Sequence, residues 1–348
     1  MNISTRFALS RISLATLVAV SGAFGTLVGC GGDGDDGDDT PLVTLDLTAA
    51  NSDTVAHATA AGFMAFGSTV MMPLGAGDDR ATALASTGSV AWLPPRVVTG
   101  LLQAMGGASR TGAARPLAVV DLGTTPCDVA GTSSMSFEDA DNDAMLDVGE
   151  VFTFVFNNCQ DNAASVTNGS MSGTVTRLND NGTAFDAGIT LASLAQTAVD
   201  GSHSLTLNGD VRLGYRALSE TVEQMTLSAN GPVTAVVHTH LPFDDTVTLQ
   251  SGFVQDSTHD YSVGRSTSTL TGVMESAQAG GSFAVSTLTP IELYDTDSYP
   301  RIGVVQMRGR TGIMSLQVLS TQQVQVDLDT NGDGSLESST PRSWDWLF

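Results

Sequence analysis

Beyond Pro126 the chain is written almost entirely in short runs of Thr, Val, Ser and Leu, broken every few residues by Gly, Asn or Asp. That texture constrains the fold more than any other feature. Apolar and β-branched residues at alternate positions suit a pleated surface with one buried face, and Gly, Asn and Asp suit the turns. Leu205 and Leu207, then Val211, Leu213 and Tyr215, show the alternation. Candidate strands are EVFTFVF, GSMSGTVTRL, HSLTLNGDVRLGY, EQMTLSA, VTAVVHTHL, DTVTLQSGFVQ, STSTLTGVMES, GSFAVSTL, IGVVQMRG, IMSLQVLS and QQVQVDLD. They predict a mainly β fold built on an antiparallel sheet with one wet face, arranged as a meander, a sandwich or a barrel. Asn-Gly pairs at Asn168, Asn181, Asn208 and Asn230 suit tight hairpins or loops.

The part before Pro126 reads differently. From Thr48 to Met72 the chain is rich in alanine and opens with the capping residues Asn51, Ser52 and Asp53, which predicts a helix with Val55, Phe63, Phe66 and Val70 on its buried face. His57 reads as an ordinary helical histidine. A second helix is expected after Pro94 and Pro95, giving a helical part over about 48–105, and Gly106 to Ala114 reads as a loop.

At the start, Arg6 and Arg11 precede an uncharged apolar run from Ile12 to Leu27, the layout of an export signal. The run is short of the roughly 20 residues that a membrane-spanning helix needs. Leu27, Val28, Gly29 and Cys30 resemble the lipobox of bacterial lipoproteins. The resemblance implies a leader over 1–29 and acylation of Cys30, and several acyl chains are needed for a stable anchor. After Cys30 a Gly and Asp run, 30–39, reads as a solvated tether, leaving one β-rich domain over 40–348. By the same resemblance, Gly31 after the cysteine favours the outer membrane, lipid-anchored on its periplasmic or cell-surface face.

The charge balance supports an exported, cation-attracting protein. All 14 basic residues are arginines against 37 acidic ones, a net of −23 that deepens when Arg6 and Arg11 leave with the leader. Such a chain repels nucleic acid and anionic head groups and attracts divalent cations. With Cys30 acylated, Cys127 and Cys159 remain, and an even pair in an exported protein reads as one disulfide, adding roughly 3–4 kcal/mol of stability.

Between those cysteines lies DADNDAMLDVGE. Asp139, Asp141, Asp143, Asp147 and Glu150 occupy the first, third, fifth, ninth and twelfth positions of a twelve-residue loop, with Leu146 at the apolar eighth. This resembles an EF-hand loop, which implies calcium held by those carboxylates, the Met145 carbonyl and a bidentate Glu150. Ala144 stands where the family has glycine, and the flanks TSSMSF and VFTFVF read as strands and not helices. A second stretch, DTNGDGSLE, places Asp329, Asn331, Asp333, Ser335 and Glu337 at alternate positions with Gly334 sixth. Its twelfth position is Thr340, so the bidentate closure is missing unless Asp327 or a distant residue supplies it. The segment from Cys127 to Gly173 is similar to a pattern in uncharacterised proteobacterial lipoproteins, which implies an address and a calcium site but no activity.

Other constellations are thinner. His238 and His240 share one strand face, and with His259 they suggest a metal-dependent hydrolase as an alternative. No HExxH, GxSxG or phosphate-binding glycine loop is present. The terminal SWDWLF resembles the closing signal of outer-membrane barrels, although aromatic packing that pins the terminus suits it better. The sequence as a whole reads as a non-enzymatic, calcium-binding envelope module. A carrier of an apolar ligand is a third reading.

Overall fold

The computed structural model describes residues 42–67, 95–105, 118–161, 165–179, 183–201, 204–238, 244–297 and 299–347. The helices among them are α1 (Ser52–Gly67), α2 (Pro95–Met105) and the short α3 (Trp344–Leu347). The strands are β1 (Ala118–Pro126), β2 (Ala130–Asp139), β3 (Val151–Gln160), β4 (Ser165–Leu178), β5 (Ala184–Ala198), β6 (Ser204–Ala217), β7 (Val222–Ala229) and β8 (Val233–His238). They continue with β9 (Asp244–Leu249), β10 (Val254–Asp260), β11 (Arg265–Ser276), β12 (Gly281–Tyr294), β13 (Ile302–Arg308), β14 (Ile313–Ser320), β15 (Gln323–Asp329) and β16 (Ser338–Ser343). All sixteen belong to one antiparallel sheet. Of the expected arrangements, the meander is the one found.

The apparent branch in the sheet comes from two broken strands. β6 pairs with β8 through Ser204–Asn208 and with β7 through Val211–Ala217, so β7 and β8 are one long strand interrupted at Asn230–Pro232. Likewise β9 and β10 together line β11, with a break at Gln250–Phe253. With these breaks allowed for, each strand pairs with its neighbours in sequence, the order that short turns favour. Among the described residues β1 and β16 are edge strands, each with one paired neighbour.

One face is buried throughout. Directly paired residues share a face, and the chain of partners Phe137, Phe152, Gly173, Ile189, Val211 and Ala229 carries that face from β2 to β7. Val285, Met307, Met314 and Leu328 carry it from β12 to β15. Both long helices pack on this face. In α1 the buried residues beside Val55 are small, Ala56, Ala58, Ala60 and Ala61, so the helix backbone lies close to the sheet. At Gly62 an added Cβ would sit 2.2 Å from the Met274 Cε on β11. In α2, Gly100 lies against Phe154 and Met135, and Pro95 takes the first helical position, where its missing N–H goes unneeded. Phe63 is half-buried, while Phe66, Val70 and the 106–114 loop fall outside the described side chains.

Three of the Asn-Gly pairs do not make hairpins. Asn168–Gly169 and Asn208–Gly209 lie inside β4 and β6, and Asn230–Gly231 forms the break before β8; Asn181 is outside the described residues. Gly209 shows why glycine is used in β6 opposite the break between β7 and β8. Its φ is 132° and an added Cβ would lie 2.7 Å from the Pro232 carbonyl oxygen, the close backbone approach of a bulge. Asn51 also departs from its expected role. Its side chain accepts from the Thr48 N–H at 2.9 Å and donates to the Asp46 carbonyl, tying down the segment before α1.

Cys127 and Cys159 form the disulfide, joining the β1–β2 turn to the end of β3. The chain end is pinned as its aromatics suggest, in a helical turn and not a strand. Trp344 is buried, donates to the Ser320 carbonyl at 3.0 Å and stacks on Tyr299 at 5.5 Å.

Candidate metal centre

The β2–β3 connection curls because one carboxylate gathers its amides. Asp139 ends β2 almost fully buried, and its two oxygens accept the N–H groups of Asn142 at 2.6 Å and Ala144 at 2.9 Å. Asp141 accepts from Asp143 and Asp143 from Met145, at 3.3 and 2.7 Å. Glu150, also buried, closes the loop: its oxygens accept from Ala140 at 2.6 Å and Asp147 at 2.9 Å. Leu146 anchors the far side, fully buried, with its N–H on the Ala104 carbonyl of α2 at 3.1 Å. Ala144 is held at φ 65°, in the left-handed region that glycine occupies in the EF-hand. The curl is therefore made without glycine, at the expense of backbone strain.

This donor set fits a hard cation. Oxygens of Asp139, Asp141 and Asp143 lie within 4.8 Å of one another. Oxygens sharing a calcium ion at 2.3–2.6 Å can be no more than roughly 5 Å apart. Asp147 faces the same space. Burial raises its pKa, and the charges of Asp143, Asp141 and Asp139 raise it further. A divalent ion at the centre would turn that repulsion into attraction.

The β15–β16 connection repeats the scheme. Asp329, buried at the end of β15, accepts from Gly332 at 2.6 Å and Gly334 at 2.8 Å. Asn331 accepts from Asp333 and Asp333 from Ser335, at 2.8 and 2.7 Å. Glu337 takes over one of the loop-closing hydrogen bonds: it accepts from the Thr330 N–H at 2.7 Å, the contact Glu150 makes with Ala140. Asp327 is occupied elsewhere, by Ser339 and Gln325, and Thr340 pairs with Val326 in the sheet. This loop relies more on its own donors: hydrogen bonds from Ser335 hold Asp333 below the usual carboxylate range.

The histidines do not converge. His238 is exposed at the end of β8, beside Asp244 at 3.3 Å, whereas His259 is buried on the inner face of β10. His238 pairs with Ser204 on β6, while His259 pairs with Glu223, itself opposite Ala217 at the far end of β6. At about 3.3 Å per residue the two rings lie roughly 40 Å apart. His240 is outside the described residues, as is Cys30. His259 instead meets the Ser266 hydroxyl at 2.8 Å.

Beside His259 the sequence reading missed a buried polar group. Glu223 accepts the hydroxyls of Tyr215 at 2.8 Å and Tyr261 at 2.9 Å, and burial followed by the Glu223 contact raises the Tyr215 pKa. Its signal was present as polar residues at the inward positions Gln255, Ser257 and His259, all buried.

An apolar slot of about 60 Å³ lies between α1, β11–β15 and α3, lined by Phe63, Leu270, Ile291, Leu316, Trp344 and Leu347. An apolar cavity of roughly 150 Å³ is the size that admits benzene, so the slot offers a carrier little room. Among the described residues no helix is long and apolar enough to cross a membrane. No family model, curated protein or solved structure matches the chain.

Proposed function

We propose that this chain is a lipid-anchored protein of the outer membrane, stiffened by calcium, with a binding or structural role in the envelope and no catalytic one. The observation that carries the calcium reading is the convergence of Asp139, Asp141 and Asp143 within 4.8 Å, with the Asp147 pKa raised by burial and then by their charge. The second loop repeats the hydrogen-bonded curl, without a like convergence of three carboxylates. The address rests on the Cys30 motif and the acidic tether, and a disulfide between Cys127 and Cys159 suits an oxidising compartment.

A thermal melt of the purified protein with calcium and with a chelator tests the first part. At 100 times the dissociation constant, calcium adds roughly 2.7 kcal/mol. An unchanged midpoint refutes calcium binding. Labelling with radioactive palmitate in a bacterial host tests the anchor: incorporation that persists in Cys30→Ala refutes acylation at that residue.

A further inference from the structure

We propose that Arg177, Arg212 and Arg216 form a phosphate-binding site on the outer face of the sheet, with Asp186 holding the three guanidinium groups together. Asp186 lies on β5 between the inward-facing Phe185 and Ala187, so its side chain points to the outer, wet face. It is nevertheless only 3% exposed, because arginines from both neighbouring strands cover it. Arg216 reaches one carboxylate oxygen at 3.0 Å, and Arg212 and Arg177 reach the other at 3.3 and 3.9 Å.

Register builds the cluster. Asp186 pairs with Arg177 on β4 and with Gly214 on β6, and Gly214 stands midway between Arg212 and Arg216. The floor is bare: Gly188 faces open space, and an added Cβ at Gly214 would lie 3.1 Å from the Asp186 Oδ1. The surround is hydroxylic, with Thr174 opposite Gly188, and Thr226 and Ser228 opposite Gly214 and Arg212.

A single guanidinium suffices to neutralise a buried carboxylate, and here there are three. They exceed the one carboxylate they enclose by two positive charges, and they are three of only 14 basic residues in a chain of net −23. Each guanidinium has five N–H donors in a planar fork suited to phosphate oxygens. Arg216 spends its Nη1 on the Tyr215 and Phe185 carbonyls. Arg177 and Arg212 are 65% and 57% exposed and turn their spare donors outward. Asp210 and Asp256, at neighbouring register positions on the same face, accept hydroxyls from Thr190 and Thr226 and lie outside ion-pair distance of the three arginines. The chain's overall negative charge acts at long range and is screened beyond about 8 Å in physiological salt, so it slows the approach of an anion more than it opposes the contact.

The test is a titration of the purified full-length protein with inorganic phosphate, read by the amide shifts of Gly188 and Gly214. In parallel it is titrated with monomeric dihexanoylphosphatidylglycerol, and with dihexanoylphosphatidylcholine as the zwitterionic control. Arg177→Gln, which leaves Arg212 and Arg216 on Asp186 and so keeps the fold, weakens binding about tenfold, the loss of one charge-assisted hydrogen bond. Asp186→Asn, which removes the competing carboxylate, binds as tightly as the wild type or tighter. A response to inorganic phosphate assigns the site to free phosphate, and one confined to the phosphatidylglycerol probe assigns it to a lipid head group. No shift at Gly188 and Gly214 with either probe, or equal affinity in Arg177→Gln, overturns the proposal.

Discussion

Ala144 offers a sharp test of the loop geometry, because its backbone is held where a side chain is unwelcome. At φ 65° its N–H is fixed by the buried Asp139 carboxylate at 2.9 Å. The left-handed conformation costs a residue with a Cβ roughly 1–2 kcal/mol, and replacement by glycine returns roughly 0.4–1 kcal/mol of that to unfolded-chain entropy. Ala144→Gly is therefore expected to stabilise the protein by about 0.5–1 kcal/mol. Gly334 in the second loop supplies the reciprocal experiment. It has φ 88° and open space around an added Cβ, so Gly334→Ala carries conformational strain without a clash and loses a similar amount. Urea denaturation with calcium and with chelator measures both. Since the hydrogen bonds that Asp139 accepts impose the curl without help from an ion, the gain in Ala144→Gly should be the same in both conditions. A gain that appears only with calcium would show that the free loop relaxes, and would refute the reasoning.

Three further outcomes are expected. Asp139→Ala leaves the half-buried amides of Asn142 and Ala144 without their acceptor, lowering stability by roughly 2–4 kcal/mol, and it cuts the calcium-dependent shift of the melting midpoint to what the second loop supplies. Replacing Cys127 and Cys159 by alanine lowers unfolding free energy by roughly 3–4 kcal/mol, read by urea melts against the oxidised wild type, and the reduced wild type should match the variant. His57, hydrogen-bonded to the Leu347 carbonyl, has its pKa lowered by burial from 6.5, with Leu347 and Asp53 opposing. The unfolded chain then binds the proton first, so stability falls as pH drops through 6.5. Urea midpoints at several pH values should show that slope in the wild type and a smaller one in His57→Gln.

The fold was legible where side chains alternate and obscure where backbone geometry decides. β6 and β11 could be read directly, because Leu205, Leu207, Val211 and Leu213 fall on one face. β5 was missed. Its Ala, Ser and Gly content has low strand propensity, and it is a strand because β4 and β6 pair with it along nearly its full length. Asn168–Gly169 and Asn208–Gly209 misled for a related reason, whereas Asn230–Gly231 does lie in a loop: the same dipeptide serves a turn or a bulge, and only the neighbouring strand decides between them. At the site, spacing marked both acidic stretches and placed Glu337 ninth in the second, but it expected closure at the twelfth position and so gave Glu337 no part in it. The arginine cluster was invisible, since Arg177, Asp186 and Arg212 meet only once the register of three strands is set.

The placement of the cross-links gives these local features a common purpose. In a meander each interior strand has two neighbours, whereas β1 and β16 have one, so fraying begins at the edges. The disulfide ties β1 and β2 to β3, the first acidic loop joins β2 to β3, and the second joins β15 to the edge strand β16. Among the described residues no disulfide or acidic loop of this kind serves β5 or β6, which are paired on both sides over long registers. Calcium should therefore protect the two margins and leave the middle unchanged. Hydrogen exchange with calcium and with chelator measures this strand by strand. Chelation is expected to speed exchange in β2, β3, β15 and β16, with the larger effect at β2 and β3, where Asp147 and its neighbours repel most. Uniform acceleration across the sheet, including β5 and β6, would mean that the ion acts on global stability, and the edge-stapling account would fall.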